Sequence, residues 1–149
     1  VIYEHDDRYY VDAVRVATGI QLLEGDNVAR LHIETHFPWL DARSQQAKDL
    51  ERFRWFSRDY LAVDEDDSQF VVDMRYSLLP NEIKGLWGIR LDATSSQDQH
   101  VEWTARRSAG ADRFDELFGL LAGHDERLVE LPQALRRESL KTERFSNSN

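Results

Sequence analysis

The sequence predicts an α+β domain, a single antiparallel β-sheet of hairpins with about two helices packed on one face. Three observations predict it. Aromatic and β-branched runs recur in pairs around turn signals, two separate segments carry a helical period, and 149 residues of which 41% are hydrophobic suit one folded core.

The first hairpin is expected from Val1 to His5 and Tyr9 to Ala17, joined through Asp6, Asp7 and Arg8. A turn follows at "EGDN", Glu24 to Asn27. Beyond it, Val28, Arg30, His32 and Glu34 alternate with Ala29, Leu31 and Ile33, which reads as a further strand. From Asp41 to Phe56 the period changes to helical, with Asp or Ser available as a cap and Ala47, Leu50 and Phe53 or Arg54 at helical spacing.

A second hairpin is expected over Tyr60 to Leu79, turning at "DEDD", Asp64 to Asp67, which reads as a solvated acidic turn. "LWGIRLDA" and "HVEWTAR" form a third pairing across a polar loop. The last helix places Phe114, Leu117, Phe118 and Leu121 at i, i+3, i+4 and i+7, with Asp112 as a cap and Gly123 as the stop. Residues 1–123 are thus read as one domain. Residues 124–149, interrupted by Pro132, are read as a weakly structured or partner-dependent tail.

A net charge of -9 argues against nucleic acid as a partner, because phosphate neutralisation needs an excess of Lys and Arg. The absence of cysteine removes disulfides, thiolate chemistry and Cys-based zinc sites. No run reaches the ~18 apolar residues of a membrane span. The serines have no nucleophile-elbow context and the glycines form no phosphate loop, so no catalytic residue is assigned.

Two constellations remain. In "VVDMRYSLLPNEIKGLWGIRL", period two places Val72, Met74, Tyr76 and Leu78 on a core face and Asp73 and Arg75 on the other. If the next strand is the neighbour, Trp87, Ile89 and Leu91 point inward and Arg90 joins Asp73 and Arg75, with Pro80 and Asn81 forming the bend. Asp73, Arg75, Asn81 and Arg90 are therefore the candidates for anion binding or docking. The other constellation is "HIETH", where a strand would align His32, Glu34 and His36 as weak metal candidates lacking a fourth ligand.

The stretches "YEHDDRYYVDAVRV", "LERFRWFSRDYLAVD" and "VVDMRYSLLPNEIKGLWGIRL" together resemble, in order and spacing, the C-terminal soluble part of the bacterial inner-membrane metal-dependent hydrolase family. The similarity runs from Val1 to Leu91 and more weakly to Arg107. It implies an appendage of a longer membrane protein, with Arg75, Tyr76, Pro80, Asn81, Trp87 and Gly88 as its signature. In that family the supposed metal ligands are His and Asp residues of the membrane-spanning N-terminal part, so none carries over to this chain. No cofactor is expected in this fragment, and a divalent metal is expected with the full-length protein. The partner implied is the membrane-embedded part, which also sets the localisation at the inner membrane.

Two functions follow as expectations: a non-catalytic accessory domain acting in docking or regulation, or a domain that lends anion-binding arginines to a hydrolase site completed by the membrane part. A third, a small-molecule sensor, requires an apolar pocket between sheet and helix.

Overall fold

The computed structural model describes residues 1–106 and 111–130. The fold is α+β with antiparallel pairing throughout, but the strands form three sheets where the sequence predicts one. β1 (Ile2–His5), β2 (Arg8–Val11) and β5 (Asn27–Ala29) make the first sheet, in the order β1-β2-β5. β3 (Ala13–Val16), β4 (Ile20–Leu23) and β10 (Val129–Glu130) make the second, ordered β10-β4-β3. β6 (Leu61–Val63), β7 (Phe70–Asp73), β8 (Trp87–Arg90) and β9 (Glu102–Ala105) make the third, in sequence order.

The reason for the division lies at Asp12 and Gly25. The expected strand Tyr9 to Ala17 breaks at Asp12, whose carboxylate accepts the Gly25 N–H at 3.1 Å while its carbonyl accepts from the Val1 ammonium at 2.6 Å. The facing strand breaks too. A Cβ on Gly25 would lie 2.0 Å from the Val11 carbonyl oxygen and 2.3 Å from that of Asn81, so only glycine allows these three backbones to meet. Each long strand therefore leaves one sheet and enters the next.

The β1–β2 turn is as expected, with Asp6 and Asp7 both at positive φ (48° and 60°), the pattern of a two-residue hairpin whose twist matches its strands. The strand expected through His32 and Glu34 does not form. β5 ends at Ala29, and α1 (Ile33–His36) is a single helical turn.

α2 (Gln45–Ser57) begins at Ser44, whose hydroxyl accepts the Ala47 N–H at 3.1 Å, and ends on Arg58 in the left-handed region. It lays Leu50 and Phe53 on the third sheet, where they meet Leu31, Phe37, Leu61, Val71, Ile89 and Leu91. The opposite face of that sheet is covered as well. There Ala62, Phe70 and Val72 pack against Val28 of the first sheet. β7 is consequently buried on both sides, so its alternation of core and polar faces is lost. Tyr76, expected in the core, lies past the strand end, 44% exposed and tilted against Trp87 with 4.5 Å between ring centroids.

α3 (Ala111–Ala122) packs on the second sheet through Leu120, which meets Ala13 and Leu23. Asp112 lies within its first turn. Gly123, at φ 78°, ends it, and Arg15 reaches over to donate to the Leu121 and Ala122 carbonyls at 3.0 and 3.2 Å. The expected stripe is turned away from the protein: Phe118 is 64% exposed, and Phe114 and Leu121 are exposed with it. Of the expected tail, Val129 and Glu130 pair with Leu22 and Gln21, and residues 131–149 lie outside the described residues.

Candidate functional site

The four-stranded sheet carries Asp73 and Arg90 of the predicted anion site and leaves Arg75 just past the end of β7 and Asn81 off the sheet, and its register separates Arg90 from Asp73. Phe70 pairs with Arg90, Val71 with Ile89 and Val72 with Gly88. Arg90 therefore shares the Phe70 face, whereas Asp73 lies on the strand positions of Val71 and faces α2.

Asp73 is 0% exposed. Arg75 grips it with two bonds, Nε to Oδ1 at 2.8 Å and Nη2 to Oδ2 at 2.6 Å, and also donates to the Phe56 carbonyl at 3.2 Å. The Asp73 carboxylate holds the Arg75 guanidinium above its usual pKa. The pair thus ties the end of β7 to the carbonyl end of α2, where a cation is favoured.

On the opposite face, Phe70 is flanked by two guanidiniums. Arg90 Cζ lies 5.7 Å and Arg106 Cζ 4.3 Å from its ring centre. Each has its own carboxylate: Arg90 bonds to Asp67, and Arg106 Nη1 donates to Asp64 Oδ2 at 2.6 Å. The bond from Arg90 keeps the Asp67 carboxyl below its usual pKa. The acidic turn, expected to be merely solvated, is the counter-charge for this face, and Asp64 is buried. Gly88 completes the arrangement, since a Cβ there would stand 2.3 Å from the Val71 carbonyl oxygen and 2.7 Å from the Phe70 ring.

Asn81 sits at the junction of the first two sheets. Its carbonyl accepts the Asp26 N–H at 2.9 Å, and its buried side-chain oxygen has no partner among the described residues. Its backbone thereby anchors the Pro80 bend to the strand switch at Gly25.

The histidine constellation is a helical turn instead of a strand. His36 Nδ1 lies 2.8 Å from the His32 carbonyl, and His32 Nε2 lies 2.7 Å from Asp7 Oδ2. His32, Ile33 and Glu34 line a cleft of about 230 Å³ with Arg30, Arg54 and Asp59. Each arginine there has carboxylates beside it, Arg30 pairing with Asp59 and Glu4, and Arg54 with Glu51 at 3.0 Å and Asp59 at 2.9 Å, so neither guanidinium lacks a counter-charge. Among the described residues, no group of three His, Cys, Asp or Glu side chains is placed to hold a metal ion. None of the described helices is long and apolar enough to cross a membrane.

A different site was not legible in the charged motifs. Between α2 and the β8–β9 pair an apolar groove of about 280 Å³ opens at the rim of the core, lined by Phe53, Phe56, Ile89, Val101 and Trp103 with Asp49 and Arg52 at its mouth. Ile89 and Trp103 are cross-strand partners, so both side chains face α2. Trp103 meets Phe53 edge to face at 5.6 Å yet stays 57% exposed. Trp55, on the same helix, is 84% exposed. At the groove's end, burial pushes the Asp49 carboxyl up, but hydrogen bonds from Gln45, His100 and the Val101 amide outweigh burial and leave it below its usual pKa. The only sequence signal for this groove is "RWF", two aromatics following Arg54 just where the α2 stripe should have turned polar.

No family model, curated protein or solved structure matches the chain.

Proposed function

We propose that this chain is a non-catalytic accessory domain that docks on the membrane-embedded part of the metal-dependent hydrolase-like protein its signature resembles. The observation that supports this reading is the division of labour on the third sheet. Arg75 and Arg90 are each occupied by an internal carboxylate, whereas Phe56 and Trp103 leave aromatic surface exposed around an apolar groove. Exposed aromatics around a pocket for one large side chain are what a docking surface needs. A tethered partner is present at high effective concentration, so a surface of modest area suffices.

The rival reading, in which the arginines grip an anionic substrate, requires an anion to displace Asp73 from Arg75 inside a buried pair. That exchange leaves Asp73 charged and unpaired in the core, which is unfavourable by several kcal/mol, on the order of 3. On this reading a divalent metal is held by the membrane part; among the described residues no group of three His, Cys, Asp or Glu side chains is placed to hold one.

The test is co-purification from detergent after the chain joining domain and membrane part has been cut by an inserted protease site. The wild-type domain should stay bound, and a folded Phe56→Ser/Trp103→Ala double variant should be released. Metal-dependent esterase or phosphatase turnover by the isolated domain, or retention of the double variant, would sink the reading.

A further inference from the structure

The groove adjoins the β9 edge of the sheet, which no other strand of the described residues pairs with, and the hydrogen-bond register says which backbone groups that edge presents. Arg106 N–H donates to the Leu86 carbonyl at 2.7 Å, which puts Arg106 on the bonded side of the β8–β9 seam, although the Leu86 N–H itself goes to the Tyr76 carbonyl at 2.8 Å. In an antiparallel ladder bonded positions alternate with non-bonded ones. Thr104 and Glu102 therefore point their backbone groups at β8, and Trp103 and Ala105 point theirs out of the sheet. The β7–β8 side agrees, because Leu91 N–H donates to the Gln69 carbonyl at 2.9 Å, which aims Ile89 at β7 and Gly88 and Arg90 at β9.

One outward amide is already taken, that of Val101, which donates to Asp49 Oδ2 at 3.3 Å. The opposite edge of the sheet is covered too, since the Leu61 carbonyl accepts from Leu31 N–H at 3.3 Å. The N–H and C=O groups of Trp103 and Ala105 have no partner among the described residues. Edge strands of this kind pair with extended peptides unless the fold protects them, and β9 carries neither Lys nor Pro.

We propose that β9 is a strand-addition site for an extended segment of a partner protein, with a large apolar side chain opposite Trp103 and a Lys or Arg beside it in sequence. This deepens the docking function and rests on it. The residue opposite Trp103 projects onto the α2 face, where the groove has room for one Leu- or Phe-sized side chain. Its sequence neighbour projects onto the other face, next to Glu102. That carboxylate is exposed and makes no salt bridge among the described residues, because its cross-strand neighbour Arg90 is held by Asp67. The net charge of -9 attracts the same basic partner. A second copy fits less well: four residues of edge are far below the roughly 1,000 Å² of a stable interface, and two such chains repel.

The probe is a decapeptide alternating Lys with Phe or Val, titrated into the full chain and followed by amide NMR and hydrogen exchange. Protection of the Trp103 and Ala105 amides is expected, with binding at least tenfold weaker for a peptide of scrambled order. Ala105→Pro removes an outward donor without touching the β8 ladder and should weaken binding at least tenfold. N-methylating the peptide on one edge should do the same, and this holds the proposal to account if Ala105→Pro fails to fold. Protection elsewhere, equal binding of scrambled or N-methylated peptide, or concentration-dependent dimers protecting the same amides without peptide would overturn it. If these fail while the cut domain still co-purifies with the membrane part, strand addition is wrong and the docking reading stands; loss of co-purification removes the docking reading itself.

Discussion

The two faces of the four-stranded sheet are built from the same strands and closed by different means. On one, Phe70 is clamped between Arg90 and Arg106, and Asp67 and Asp64 neutralise both guanidiniums. On the other, α2 buries Leu50 and Phe53 but stops short of the edge, leaving Trp103 and Phe56 exposed around an unfilled groove. On the charged face both guanidiniums are held by their own carboxylates, so the arginines have little free energy left for an anion. The aromatic face has apolar area still in water, and covering it is favourable at about 25 cal/mol per Å².

Breaking the charged face should have the largest effect. Gly88→Val drives a side chain into the Val71 carbonyl and the Phe70 ring, and urea denaturation should show a loss of about 3 kcal/mol or no folded protein. On the α2 face, Asp73→Ala leaves Arg75 without its buried partner and should cost about 3 kcal/mol by the same measurement, a loss that belongs to this buried pair and not to the charged face.

Acid should loosen the charged face through Asp67. The folded pKa of Asp67 is depressed, so its contribution is fully present above the unfolded value of about 4 and is lost as pH falls through the folded value. Urea midpoints should therefore fall below about pH 4 in the wild type. In Asp67→Asn the fall should be shallower, and stability at neutral pH should drop by about 1 kcal/mol.

The aromatic face should respond in the opposite sense. Trp103→Ala should change stability by about 1 kcal/mol, the worth of its edge contact with Phe53, yet weaken partner binding at least tenfold. Trp55→Ala should shift stability by no more than about 0.5 kcal/mol, because the side chain is almost wholly in water. A larger stability loss for Trp55→Ala than for Asp67→Asn would remove the contrast between the faces.

Some of this was legible one residue at a time. The helical stripe found α2, expected from Asp41 to Phe56 with Asp or Ser as its cap and observed from Gln45 to Ser57 with Ser44 as the cap, and Gly123 marked the end of α3. The hairpins around Asp6–Asp7 and the β6–β7 and β8–β9 pairings also follow from turn chemistry and alternation. Where local pattern met tertiary contact it lost. "VARLHIET" alternates like a strand, but the chain needs a helical turn there to return Phe37 to the core, and Phe118 belongs to an amphipathic stripe that faces solvent.

The sequence by itself determined the class of the fold, because periodicity and turn residues act over a few neighbours. It brought Asp73 and Arg75 to one strand face, two residues apart, but the structure decided that they pair with each other and that Asp67 and Asp64 hold Arg90 and Arg106. Only the tertiary structure decided that three sheets form, because that depends on Gly25, Val11 and Asn81 meeting across 70 residues of chain, from position 11 to position 81. It likewise decided that Arg90 lies opposite to Asp73 and that the open surface is aromatic. Register and helix placement are long-range choices, set by which contacts leave fewest groups unsatisfied, and no short window of sequence contains them.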